Sequence, residues 1–325
     1  MLAIDADLVR QLAPIEELID WMRDAMRITS ERHVELPLRR ELSLPGEYGK
    51  LGLMPGFVGD AIDSVGVKLV SLVPPQLRRG SSHMGLMVLY DVDGLVPQAI
   101  LCGATITAIR TSAVSAVATD ALARRDASSL AILGAGEQAR AHARAMVEVR
   151  DFDDLRVWSH TRDGAHEFAR LVAEESGLHF SIAATVDEAV ADADVICTVS
   201  SAPEPILFGS MISPGTHVNL VGSSHRGAAE ADSELVRISE YFVDFMPSTM
   251  AQAAELLRAI DAGIVDAGHV RAEIGQVLAG TATGRSSDVA VTVYKSVGVA
   301  SQDIVTSRRI YERALAKGAG KKVSM

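Results

Sequence analysis

A few basic side chains stand in apolar or strand-like surroundings, where such a group can grip an anion or carry a proton. Lys68 lies within Val65-Gly66-Val67-Lys68-Leu69-Val70. There it is either a strand-edge charge reaching water along its aliphatic stem or a buried functional amine. Arg39 and Arg40 follow Pro37. Successive strand residues point to opposite faces, so one of the two must face inward. Arg110, followed by Thr111, lies near the start of a run rich in Ala, Ser and Thr. It is either a surface arginine or the planar fork of an anion site.

A second chemistry is written in Leu130-Ala131-Ile132-Leu133-Gly134-Ala135-Gly136-Glu137-Gln138-Ala139. An apolar run ends in Gly-x-Gly-x-x-Ala, and a helical pattern follows at once. This order of strand, tight glycine turn and helix start is that of a dinucleotide site. Gly134 permits the turn, Gly136 lets a pyrophosphate approach the backbone, and the helix start offers N–H groups and a positive dipole end. Downstream, the next strand ends Val157-Trp158-Ser159-His160-Thr161-Arg162. An NAD site carries an acid near this tip for the ribose 2′-hydroxyl. None is present, and Asp163 is better placed to open the following helix. His160, Thr161 and Arg162 offer donors to a 2′-phosphate, which predicts NADP(H) over NAD(H).

The elements that must position these groups follow from periodicity. Residues 1–33 read as helical, with Ile15, Leu18, Ile19, Met22 and Met26 on one face. From Leu36 to Ala104, short strands are punctuated by proline and glycine, with a hairpin turn at Asp91-Val92-Asp93-Gly94. Ile106–Ala123 reads as a helix of small residues. Residues 130–222 alternate strand and helix, as in a doubly wound sheet. Tyr241–Asp244 and Asp288–Tyr294 read as strands, and Ala251–Ala262 and Val270–Ala279 as helices. Gln302–Lys317 reads as a last helix, and Gly318–Met325 as a loose tail.

Composition bounds the class. The 325 residues are 48% hydrophobic and 22% charged, which describes a well-buried globular chain. A net charge of -11 argues against a nucleic-acid partner, which wants a basic face. Cys102 and Cys197 lie far apart without metal spacing, so both read as buried thiols of a reducing compartment, and no metal site is expected. Asp5 and Asp7 stand where a signal peptide would be basic, and no apolar run reaches the ~18 residues of a membrane span. A cytoplasmic protein is expected.

Taken together, the segments Leu51–Pro55, Val67–Val70, Ile106–Ala116, Leu133–Ala139, Glu204–Gly209 and Tyr294–Gly298 resemble the ornithine cyclodeaminase/mu-crystallin family, nearest its ketimine reductase branch. The resemblance implies an α/β architecture. A Rossmann-type doubly wound sheet, residues 123–299, is inserted into a second α+β substrate and dimerisation domain, residues 1–122 with 300–325. A homodimer is implied. So is a carboxylate-bearing small molecule held by Arg39, Lys68 and Arg110, with Lys68 exchanging a proton with the substrate nitrogen while hydride moves. Two guanidinium groups nearby should disfavour the protonated lysine. Met54, His83 and Ser224 match positions near the substrate. Ser82 and His83 match positions near the nicotinamide, and Thr111 is a further candidate cofactor contact. Ala135, Glu137, Gln138, Ser159, His160 and Thr161 match further cofactor contacts, as do Ser200, Ser201, Val221 and Ser296.

One departure sharpens the expected activity. Cyclodeaminases carry an aspartate after Val-Gly-x for the distal amino group, and this chain has Val221-Gly222-Ser223-Ser224. A serine supplies neither that charge nor a comparable base. The expectation is an NAD(P)H-dependent reductase of α-imino acids of the ketimine, pyrroline- or piperideine-2-carboxylate type. The alternatives are an amino-acid dehydrogenase working in reverse, a cyclodeaminase, and a non-enzymatic small-ligand binder.

Overall fold

In the computed structural model, which describes residues 1–73 and 83–324, the chain opens as a strand, not as a helix. β1 (Leu2–Ile4) is too short to show a period of its own, and its pairing partners lie far along the chain. Asp5 then caps α1 (Ala6–Leu12) by accepting a hydrogen bond from Leu8 N, and Pro14 stands at the N-cap of α2 (Ile15–Ser30). β2 (Val34–Glu35), β3 (Arg40–Ser43), β4 (Lys50–Val58), β5 (Ser64–Leu72), β6 (His83–Tyr90) and β7 (Pro97–Cys102) follow. Asp91 shapes the β6–β7 turn, its Oδ1 accepting from Gly94 N at 3.1 Å and Val96 N at 2.9 Å.

α3 (Gly103–Leu122) starts earlier than its periodicity suggests, because β7 runs straight into it. A Cβ at Gly103 would lie 2.9 Å from the backbone of Leu86, so only glycine fits where helix meets sheet. Arg110 therefore sits beyond the helix's first turn. The last turn is held by Arg150, which donates to the carbonyls of Asp120 at 3.1 Å and Ala123 at 3.3 Å.

The chain divides into two compact units, Met1–Arg110 with Val299–Met325, and Thr111–Gly298. The second unit is a Rossmann-type α/β fold. Its elements are β8 (Ser129–Leu133), α4 (Glu137–Met146), β9 (Asp154–Trp158), α5 (Arg162–Ser176), β10 (Ser181–Ile182), α6 (Val186–Val190), β11 (Val195–Thr198) and β12 (His217–Leu220). Then come α7 (Ser233–Ile238), β13 (Ser239–Val243), α8 (Met246–Gln252), α9 (Ala254–Asp261), β14 (Val270–Glu273), α10 (Ile274–Leu278) and β15 (Val291–Lys295). The eight strands run in the order β10-β9-β8-β11-β12-β15-β13-β14, all pairs parallel. β8, β11, β12 and β15 are buried throughout, as strands covered on both faces must be. The order reverses between β8 and β11, and a crevice at such a switch point is where an open α/β sheet takes its ligand.

Two helix expectations in this unit are corrected. Ala251–Ala262 breaks at Ala253 into α8 and α9. Val270–Ala279 begins as β14, the sheet's edge strand beside β13, and becomes helical only at Ile274. A short apolar run does not separate strand from helix by period, and here the neighbouring strand decides.

The chain then returns to the first unit with α11 (Ala300–Ala316) and β16 (Lys321–Lys322). The expected loose tail is instead an edge strand, antiparallel to β1, with Val323 N donating to Met1 O at 2.9 Å. The sheet reads β16-β1-β7-β6-β5-β4-β2, with β3 on β4. α11 lies on one face of it. Gly56 and Gly66 are cross-strand partners on β4 and β5. A Cβ on Gly56 would stand 3.1 Å from Ile304 Cδ1, and one on Gly66 2.9 Å from Ile304 Cγ1. The paired glycines let the helix settle close to the strands.

Candidate active site

Strand alternation places the basic cluster of the first unit. Ser64, Gly66 and Lys68 share the β5 face that α11 covers. Lys68 is 3% exposed, so it does not reach out to water. Its register partners are Met54 on β4 and Met87 on β6, both buried. Its Nζ donates to Asp303 Oδ2 of α11 at 2.8 Å. Arg110 is 4% exposed; its Nε donates to Asp303 Oδ1 at 3.1 Å and its Nη1 to Gln302 Oε1 at 2.6 Å. Arg39 is half-buried just before β3, and its charge is felt at Lys68. Arg40, the first residue of β3, is exposed.

The Lys68 ammonium is pushed down to about 8. Burial is the main cause, ahead of the like charges of Arg110 and Arg39, so repulsion between cations is the lesser effect and not the leading one expected. Asp303 pulls the other way and keeps the proton on. Burial alone would raise the Asp303 carboxyl, but Arg110 and Lys68 outweigh it and hold it below the usual range. A buried ammonium with a proton to give near neutral pH, beside a guanidinium, suits an anionic substrate that must gain a proton.

Asp303 and Gln302 escaped the sequence reading. Their signal was faint: a Gln-Asp pair leading into Ile304 and Val305 on a helix whose buried face is otherwise apolar or small. Ser82 lies outside the described residues, and so does the side chain of His83, whose backbone opens β6.

The residues expected to hold the dinucleotide lie on the Rossmann-type unit. Gly134 has φ +131°, and a Cβ there would lie 2.7 Å from Val199 O, so both backbone and neighbour demand glycine. A Cβ on Gly136 would meet nothing within 4 Å, and α4 starts at the next residue, Glu137. Ala135 and Gln138 are half-buried on this turn, and Ala139 is fully buried against the sheet. The turn thus fits a dinucleotide pyrophosphate, with Gly136 leaving the cradle that any side chain would fill. Ser159 and His160 follow β9. Thr161 caps α5, its Oγ1 accepting from Gly164 N at 3.2 Å, so Thr161 and not Asp163 opens that helix. Arg162 is exposed in the first turn.

Ser200, Val221 and Ser296 follow the carboxyl ends of β11, β12 and β15. Val221 N donates to Thr198 O and Ser296 N to Leu220 O, each at 3.0 Å. Ser201 is exposed beside Ser200, Ser224 is half-buried in the loop after β12, and Thr111 is buried in α3.

Two buried carboxylates that sequence reasoning missed hold these loops. Glu230 Oε1 accepts from Ser200 N at 2.7 Å and Ser200 Oγ at 2.6 Å, and Oε2 from Thr198 Oγ1 at 2.8 Å and Gly222 N at 2.6 Å. Burial raises its carboxyl, and the donors act against that. Glu255 accepts from Ser223 Oγ and pairs with the fully buried Lys295 at 2.9 Å. Cys197 is buried and its thiol is pushed up to about 12 by desolvation, whereas Cys102 is only half-buried.

Comparison with known proteins adds to this geometry. A sequence profile of the ornithine cyclodeaminase/mu-crystallin family matches residues 2–318. The chain is 34% identical to a Delta(1)-pyrroline-2-carboxylate reductase of Bacillus cereus over 325 residues, 99% of each chain. It is 34% identical to the ketimine reductase mu-crystallin of Mus musculus over 277 residues, 85% of this chain and 84% of the other. The fold is similar, at TM-score 0.95 and 32% identity, to a Thermococcus litoralis Delta(1)-pyrroline-2-carboxylate reductase solved with NADH and L-proline, covering 99% of this chain and 100% of that one.

Proposed function

The chain belongs to the ornithine cyclodeaminase/mu-crystallin family, and from that premise we propose that it is a nicotinamide-dependent reductase of cyclic α-imino acids. The observation that carries this reading is the buried Lys68–Asp303–Arg110 cluster. In the proposal the first unit binds the imino acid and the Rossmann-type unit the dinucleotide. The substrate carboxylate docks on the guanidinium of Arg110, with Arg39 as a second fork, which fixes the imine carbon. Met54, the neighbour of Lys68, borders the substrate, and Ser224 is a further candidate substrate contact. The reduced nicotinamide, when bound, supplies hydride to the imine carbon. Lys68 gives a proton from Nζ to the imine nitrogen as the C=N double bond becomes a single bond, and water then restores the lysine proton.

The same proposal includes NADP(H) over NAD(H). His160 and Arg162 are exposed after β9, and the residues between β9 and α5, Ser159 to Thr161, include no acid to repel a 2′-phosphate. It includes a cytoplasmic location, in keeping with two unpaired cysteines. Among the described residues no helix is long and apolar enough to cross a membrane.

The experiment is to follow reduced-nicotinamide absorbance with Δ1-pyrroline-2-carboxylate and Δ1-piperideine-2-carboxylate, using NADPH and NADH in turn. Consumption is expected, with the higher kcat/KM for NADPH. Ammonia release from ornithine without consumption would instead identify a cyclodeaminase, and neither signal would leave only a binder.

A further inference from the structure

We propose that Asp303 is a positioning residue for this reaction, the shared counter-ion that fixes the Lys68 ammonium against the Arg110 guanidinium and keeps Lys68 protonated until it meets substrate. The inference rests on the imine-reductase reading. Asp303 is fully buried and divides its two oxygens between the two cations, Oδ2 to Lys68 Nζ at 2.8 Å and Oδ1 to Arg110 Nε at 3.1 Å. Gln302, the residue before it, takes Arg110 Nη1 at 2.6 Å. Its own amide is turned by a contact from Nε2 to Met26 Sδ at 3.3 Å, which points Oε1 at the arginine. Arg110 Nε and one Nη1 N–H are thereby committed to α11, and the other Nη1 N–H together with Nη2 is the end that meets a carboxylate.

The close seat of α11 over Gly56 and Gly66 makes this reach possible. Around Lys68 the strands offer only Met54 and Met87 as register partners. The charged groups acting on it are Arg110 from α3, Arg39 from the segment before β3, and Asp303 from α11. Asp303 is the one anion among them. Without it, a buried amine between two guanidinium groups gives up its proton to water and has none for the imine.

The test uses the full-length enzyme with its cofactor and the isosteric Asp303→Asn variant. The high-pH fall in kcat for imine reduction, expected near 8 in the parent, should move down by about one unit or more. kcat at neutral pH should drop about tenfold or more while the dissociation constant of the reduced cofactor stays unchanged. Asp303→Glu keeps the charge on a longer arm; the fall should stay at the parent pH while kcat remains reduced. NMR titration of the Lys68 ammonium in substrate-free enzyme, assigned with Lys68→Arg, reads the same shift with no turnover at all. If the parent reduces no imine, the functional reading fails while this titration still tests Asp303. A Lys68 signal and a kcat profile that titrate identically in parent and Asp303→Asn would overturn the proposal.

Discussion

A lysine held to about 8 makes the direction of catalysis readable from pH. Imine reduction needs the protonated form, so kcat should be level below that value and fall as pH rises through it. Amine oxidation needs the neutral form, so its rate should rise over the same interval. Stopped-flow or steady-state pH profiles in both directions check this, and parallel profiles would count against Lys68 as the proton donor. Lys68→Ala should lower kcat about a thousandfold and leave cofactor affinity nearly intact, because the residue belongs to the other unit from the glycine turn. Lys68 and Arg110 were legible in the sequence because a long cation is out of place in a strand of valines or a helix of small residues. Asp303 was not. An aspartate in a helix of mixed composition gives no sign of its partner when that partner lies 235 positions away. Glu230 and Glu255 were hidden for the same reason: their donors are backbone and hydroxyl groups gathered from several loop ends.

The glycine turn divides its two glycines between fold and ligand. Gly134→Ala forces a side chain onto a positive φ and against Val199 O, so it should lower Tm as well as cofactor binding. Gly136 has φ -85° and nothing near its Cβ position, so Gly136→Ala should fold with an unchanged Tm. It should still weaken the cofactor about tenfold, because the methyl group occupies the pyrophosphate cradle. Thermal melts with fluorescence titration of NADPH separate the two, and equal behaviour of both variants would remove this division of roles. The parallel strands were legible because burial on both faces writes them as continuous apolar runs, as at β8, β11 and β12. The short strands β1, β10, β14 and β16 were missed because segments of two to four residues carry no periodicity. Their existence depends on a neighbour strand supplied by the fold.

Across the whole molecule, a net charge of -11 coexists with a local cluster of cations, so attraction of an anionic substrate must come from those groups and not from the surface field. The first unit's sheet also has a second face, away from α11. There Leu53, Leu69 and Leu86 are register neighbours across β4, β5 and β6, and Leu42 pairs with Leu51. Leu86 is 48% exposed and Met84 53%, an exposed apolar face of the kind that marks an interaction surface. A second copy of this chain is the proposed cover. Sedimentation should therefore give twice 34.5 kDa, and Leu53→Asp with Leu86→Asp should give single chains. A parent that sediments as a single chain would sink the dimer. The insertion of one unit within the other has a temporal consequence as well. A ribosome delivers Lys68 and Arg110 first, then the whole dinucleotide fold, and only afterwards α11 with Asp303. Until that helix emerges, the nascent polypeptide carries two cations with no anion between them, and its strands lack the cover that buries them. Competence for chemistry is thus the last thing translation confers on this enzyme.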